Sequence, residues 1–180
     1  MLTTIANLLR KTNQTLCTAE SCTGGYIAHL ITSISGSSDY FVGGVVAYSD
    51  EVKENILGVK TETLKKHGAV SEQTVTEMAI GALTKFKTDY AIAVTGIAGP
   101  TGGTADKPVG TVWIAIARCH PELVSGSKQM LKQPRSLSGQ HDGRVNLTSQ
   151  KFLFGNNRQE NIEKATNAAL DMLRKCALSH

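Results

Sequence analysis

The chain has 180 residues, 41% of them apolar, which suits a single domain over 1–180 with a sizeable core. Aromatic residues make up 5%, with one tryptophan, and the formal net charge is +4, so a base-stacking nucleic-acid platform is disfavoured while a small anionic ligand is accommodated. The four cysteines (Cys17, Cys22, Cys119 and Cys176) show neither a CxxC pair nor zinc spacing, and no leader-like or long apolar stretch stands out, so a cytoplasmic, non-membrane protein with reduced thiols is expected.

Leu2, Ile5, Leu8 and Leu9 recur at helical spacing and predict a first amphipathic helix. A strand at 15–18 follows, and 24–34 reads as a helix with Ile27, Leu30 and Ile31 on one side. GGVVAY, residues 43–48, reads as a buried-type strand. Residues 50–57 read as a short helix with Asp50 as its N-cap, and 61–67 as another, stopped by Gly68. Ser71 is expected to cap a longer helix whose Val75, Met78, Ala79, Leu83 and Phe86 share a face. An apolar strand at 90–94 runs into TGIAGPTGGTADKPVG, and the strand TVWIAIA follows.

Residues 125–151 are polar and aperiodic, fitting either a long hairpin or an irregular loop. For their basic residues (Lys128, Lys132, Arg135, Arg144 and Lys151) a solvated loop outweighs a nucleic-acid contact. A last helix carries Ile162, Ala165, Ala169, Met172, Leu173 and Cys176 as one stripe. Strands alternating with helices imply an α/β fold with the sheet covered on both faces, and the successive strands after residue 110 make part of it antiparallel.

Ligands of such sheets bind beyond the carboxyl ends of strands. Three segments reach such ends here: 20–25, 48–53 and 95–103. In TLCTAESCTGG, Ser21 or Thr23 can cap the next helix. Gly24 and Gly25 are poor helix residues, however, and let a ligand approach backbone N–H groups. Strand, turn, serine and helix is also a geometry that exposes a nucleophile. Cys22 is the rival, since a helix N-terminus favours a thiolate, although a small buried cysteine is the commoner case.

In YSDEVK, Lys53 either points to solvent beside Glu54 or, partly buried at a positive helix end, serves as a base for a serine. Tyr48 could then orient or relay the proton. The loop from Thr95 has 16 residues, five of them glycine, which is long for a plain connection. It is not a Walker loop, and no HExxH or other metal-ligand spacing occurs. Neither metal nor cofactor is therefore expected.

TAESCTGG, AYSDEVK, HGAVSEQTVTEMAIGAL, TGIAGPTGG and KPVGTVW resemble, in the same order, the C-terminal domain family of the competence-damage-inducible protein CinA, over most of 2–118 and again near Phe154. The resemblance implies a three-layer α/β/α sandwich with a mixed, mostly parallel sheet. For the single-domain members it implies nicotinamide-nucleotide amidase activity, the hydrolysis of nicotinamide mononucleotide to nicotinate mononucleotide and ammonia. It also implies a homo-oligomer, a dimer in the family. Matched motif by motif, the family's serine falls on Ser21, its tyrosine on Tyr48, its lysine on Lys53 and its arginine on Arg158, a group suited to a phosphate.

Three departures stand out: Asp50 replaces the usual asparagine, FGNNR lacks the usual Gly-Asp before the arginine, and 125–151 is long. The N-terminal nucleotide-hydrolysing domain of larger members is not expected in 180 residues. The resulting expectation is a metal-free amidohydrolase in which Lys53 activates Ser21 and Tyr48 assists. Thr23, Gly24, Thr95, Gly96 and Arg158 are expected to bind substrate, with backbone N–H groups after Ser21 or in a Thr95–Gly96 turn holding the oxyanion. The competing expectation is a non-catalytic or differently specific nucleotide-binding protein linked to competence or DNA damage.

Overall fold

The computed structural model describes residues 1–119 and 145–178. In chain order the elements are α1 (Leu2–Thr12), β1 (Leu16–Glu20), α2 (Tyr26–Thr32), β2 (Phe41–Val46), α3 (Asp50–Leu57), α4 (Thr61–His67), α5 (Glu72–Phe86), β3 (Tyr90–Gly96), β4 (Thr111–Cys119), β5 (Val145–Leu153) and α6 (Arg158–Leu178). The strands form one sheet in the order β2-β1-β3-β4-β5. β1 runs parallel to both β2 and β3, whereas β4 is antiparallel to β3 and to β5. Only β4 therefore runs against the rest, which agrees with a mixed, mostly parallel sheet.

The sheet is covered on both faces, and its two faces differ chemically. Leu16, Ile92, Val94, Ile114 and Ile116 meet α1, α2 and α6 through residues such as Leu9, Ile27 and Leu173. Burying each large aliphatic side chain contributes about 1.5–3 kcal/mol. The opposite face presents Ala19, Ala91, Ala93, Ala115 and Ala117 to α5, with α3 and α4 beside it. Small side chains bring α5 close to the strands. Close approach also explains Gly81 inside α5, where a Cβ would overlap the carbonyl of Leu57 at the end of α3.

Most elements follow the periodicity, and the differences have local causes. The helix expected over 24–34 is shorter, because Gly24 and Gly25 adopt positive φ (62° and 96°) and belong to the turn before α2. β2 is an edge strand whose residues alternate between half-buried and exposed, with Val42 and Val46 outward, so the buried-type reading of GGVVAY is corrected. An apolar run cannot by itself tell an edge from a centre.

Ser49, not Asp50, caps α3: it is extended and its hydroxyl accepts from the Val52 N–H at 3.3 Å. Asp50 and Glu51 fall in the first turn, where their charge suits the helix dipole. Residues 145–151 of the polar segment belong to β5. Its remaining basic residues, Lys128, Lys132, Arg135 and Arg144, lie outside the described residues. No helix among the described residues is long and apolar enough to cross a membrane.

Candidate active site

The carboxyl ends of β1, β2 and β3 open into a cleft of about 280 Å³. Its walls include Ser21 and Cys22 after β1, Tyr48, Asp50 and Lys53 from the β2–α3 region, Ala69 and Val70 before α5, residues 95–99, and Arg158 at the start of α6. The cleft therefore gathers Ser21, Tyr48, Lys53, Thr95, Gly96 and Arg158, six of the residues singled out by sequence. Thr23 and Gly24 are not among its lining residues.

Ser21 sits just past the sheet. Its backbone N–H donates to the Val94 carbonyl at 2.9 Å, prolonging the β1–β3 pairing by one residue. The residue is 9% exposed. Lys53 is 2% exposed, so the solvent-pointing alternative is excluded. Its Nζ lies 3.5 Å from the Tyr48 carbonyl, 3.4 Å from the Ser49 carbonyl and 3.4 Å from Asp50 Oδ1. These contacts are long for charge-assisted hydrogen bonds, and Asp50 is largely exposed, so the pair is loose. Tyr48 is 61% exposed, and its hydroxyl accepts from Arg158 Nη2 at 3.0 Å. Arg158 Nη1 donates to the Gly99 carbonyl at 2.9 Å.

Cys22 has a different character. It is buried in the main core, and burial pushes its thiol up to about 12. The nearby Glu20 charge adds to that rise, while Arg158 and Lys53 oppose it more weakly. Desolvation outweighs any helix-end effect here. A thiol held protonated in this way is a poor nucleophile.

The start of α2 is occupied from within the protein. Glu20, buried at 1% exposure, places its carboxylate there. Oε2 accepts from the Thr23 hydroxyl at 2.8 Å, the Gly25 N–H at 3.1 Å and the Ile27 N–H at 3.0 Å; Oε1 accepts from the Ala28 N–H at 2.8 Å. The Gly24 and Tyr26 N–H groups donate to the Ser21 and Thr23 carbonyls. All five N–H groups of residues 24–28 are thus engaged, and the expected oxyanion role of this helix start is corrected to exclude them. Thr23 and Gly24 build the turn.

Thr95 and Gly96 form no turn either, since they pair with Trp113 and Val112 as the end of β3. The Thr95 hydroxyl donates to the Ala69 carbonyl at 2.9 Å, fixing the opposite wall. Lys107 stands away from the cleft, donating to the His67 carbonyl at 2.7 Å.

Two residues that matter here escaped sequence reasoning. Glu20 is one; an acidic residue at a strand end, a few positions before a helix start, was the available signal. Asn161 is the other. Buried on α6, it donates to the Ala98 carbonyl at 2.9 Å and the Gly155 carbonyl at 2.8 Å, holding the glycine-rich loop against the helix. The Asn157 side chain accepts from the Glu160 N–H at 3.1 Å and caps α6, so FGNNR keeps a capping residue just before Arg158.

Residues 1–141 match the CinA C-terminal domain family. The chain belongs to this family. The nicotinamide-nucleotide amidohydrolase PncC of Escherichia coli strain K12 is 53% identical over 121 residues, covering 67% of this chain and 73% of that protein. A CinA-like protein of Trichormus variabilis is 42% identical over 177 residues, 97% of this chain and 37% of its own length. For a CinA-like protein of Cytophaga hutchinsonii the match is 54% over 114 residues, 63% of this chain and 27% of that one. The chain thus spans only a minor part of these CinA-like relatives. Among solved CinA-family structures, a CinA superfamily protein of Klebsiella pneumoniae superposes with a TM-score of 0.79 at 34% identity, covering 98% of this chain and 94% of the other. A competence/damage-inducible protein of Agrobacterium tumefaciens gives 0.76 at 37% identity, covering 94% and 93%.

Proposed function

We propose that this member of the CinA C-terminal domain family is an amidohydrolase that converts nicotinamide mononucleotide to nicotinate mononucleotide and ammonia. The observation that carries the reading is that Ser21 and a fully buried Lys53 line one cleft, with Arg158 at its rim. The similarity to PncC, named a nicotinamide-nucleotide amidohydrolase, supports the substrate.

In the proposed reaction Lys53, as the neutral amine, takes the proton from the Ser21 hydroxyl while Oγ forms a bond to the carboxamide carbon. The tetrahedral intermediate collapses by breaking its C–N bond, and the Lys53 ammonium returns a proton to the departing nitrogen, releasing ammonia. A water molecule then attacks the acyl carbon while Lys53 accepts its proton, and the acyl–Oγ bond breaks to release nicotinate mononucleotide as the Lys53 ammonium returns a proton to Ser21 Oγ. The Tyr48 hydroxyl accepts from Arg158 and so keeps its own proton to donate into the cleft. Arg158 has further N–H groups for the substrate phosphate.

The test is ammonia release from nicotinamide mononucleotide, with nicotinate mononucleotide followed by chromatography. Equimolar formation of both products by the native chain, and neither by Ser21→Ala, is the expected outcome. A native chain that produces neither refutes the activity.

A further inference from the structure

Glu20 carries a buried carboxylate one residue before the proposed nucleophile, and the catalytic scheme has no chemical use for it. Its four acceptor contacts all go to the segment that follows Ser21: the Thr23 hydroxyl and the N–H groups of Gly25, Ile27 and Ala28. Its own carbonyl accepts from the Ala47 N–H at 2.7 Å, tying the same residue to the chain leading to Tyr48. Ser21 is therefore bracketed. On one side its N–H is held by Val94, and on the other its carbonyl is held by Gly24. The turn between them is closed by Glu20.

Two local facts make such a clamp necessary. Gly24 and Gly25 both hold positive φ and would sample many conformations if unrestrained. α2 lacks any side-chain cap from its own N-cap residue, which is Gly25. Without an acceptor, the N–H groups of residues 25, 27 and 28 would lie partly buried and unsatisfied.

We infer that Glu20 is a positioning residue that sets the direction of the Ser21 hydroxyl by capping α2 from inside the sheet. The inference rests on the proposed function for its catalytic consequence, but not for its geometry. The turn carrying a nucleophile has to hold its oxygen in place, because a displacement near 1 Å costs on the order of 100-fold in rate. The same contacts direct the positive end of α2 onto Glu20 and away from the cleft.

Glu20→Gln keeps the size and supplies a single acceptor oxygen, so whichever way the amide turns, its NH₂ faces at least one donor. Native protein, Glu20→Gln and Thr23→Val, which removes only the hydroxyl contact, are compared by ammonia release from nicotinamide mononucleotide, amide hydrogen exchange, and labelling of Ser21 with a fluorophosphonate. For Glu20→Gln, kcat should fall on the order of 10–100-fold while KM stays within about threefold. The amides of Gly25, Ile27 and Ala28 should exchange faster while those of β3 do not, and labelling of Ser21 should slow. Thr23→Val should shift kcat the same way by a smaller factor, which keeps the test decisive if Glu20→Gln does not fold.

Unchanged exchange at Gly25, Ile27 and Ala28, or labelling and kcat both within about twofold of native, overturns the inference. A native chain that labels at Ser21 but releases no ammonia refutes the proposed substrate, and the exchange and labelling results still decide the role of Glu20. Absence of labelling in every protein removes Ser21 as a nucleophile and this role with it.

Discussion

Arg158 donates through Nη2 to the Tyr48 hydroxyl at 3.0 Å across 110 residues of sequence. Its other terminal nitrogen holds the Gly99 carbonyl at 2.9 Å. One guanidinium thus ties the glycine-rich loop, the start of α6 and the segment between β2 and α3 into a single rim. An Arg158 variant would release Tyr48 and, on the proposed reading, would also lose the group offered to the substrate phosphate.

Arg158→Ala is expected to raise KM for nicotinamide mononucleotide by about 1.5–3 kcal/mol in binding, roughly 10–100-fold, as for a lost charge-assisted contact. The freed Tyr48 should lower kcat as well. Steady-state kinetics with nicotinamide riboside separate the two, because the riboside lacks the phosphate and should show only the Tyr48 part. Equal losses on both substrates would place the phosphate elsewhere.

Ser21→Ala should abolish ammonia release, whereas Cys22→Ala should keep most of it. The buried Cys22 thiol, pushed up to about 12, offers little thiolate at neutral pH. Removing its sulfur should cost about 1–2 kcal/mol of stability as a small cavity, read by denaturant unfolding. An inactive Cys22→Ala with a native unfolding midpoint would reverse the assignment.

Alkaline stability offers a second check on burial. The thiols of Cys17 and Cys22 are both pushed from about 9 to about 12 by desolvation. A group whose folded value is raised adds stability fully below its unfolded value and loses it as pH rises through the folded one. The native protein should therefore lose stability progressively from about pH 9 towards pH 12. The double variant Cys17→Ala, Cys22→Ala should show a flatter dependence in urea unfolding at successive pH values. Parallel curves would mean that the thiols are not desolvated in solution.

Activity should survive exhaustive treatment with EDTA and gain nothing from zinc or magnesium. Among the described residues no group of three or more His, Cys, Asp or Glu side chains is arranged to hold a metal ion. Loss with chelator and recovery with one metal would point to different chemistry.

Gly81→Ala should destabilise by about 1–3 kcal/mol, since the new methyl meets the Leu57 carbonyl, a backbone atom that cannot turn aside. Thermal unfolding of the variant measures it. A neutral substitution would mean that α3 and α5 sit further apart.

Much of the architecture was legible along the chain, because helix and strand periods report which side of an element meets the core. The bounds of α3 and α4 and the cap at Ser71 came out of local pattern alone. That Ser21, Tyr48 and Lys53 come to line one cleft was legible too, since each lies near a strand end and an α/β sheet gathers such ends on one side. What local pattern could not supply were distances between segments far apart in the chain. GGVVAY was misread as a buried strand because its neighbours across the sheet, not its own residues, decide that it is an edge. YSDEVK by itself leaves Lys53 open between solvent and cleft, because its burial comes from the fold around α3. Local pattern favours a buried Cys22 but cannot weigh burial against the helix end; the folded core supplies the desolvation that decides it. Arg158 gained its hold on Tyr48 and Gly99, and Glu20 its four donors, only when the chain was folded, because a hydrogen bond depends on positions within about 3 Å in space and spacing in sequence sets no such distance.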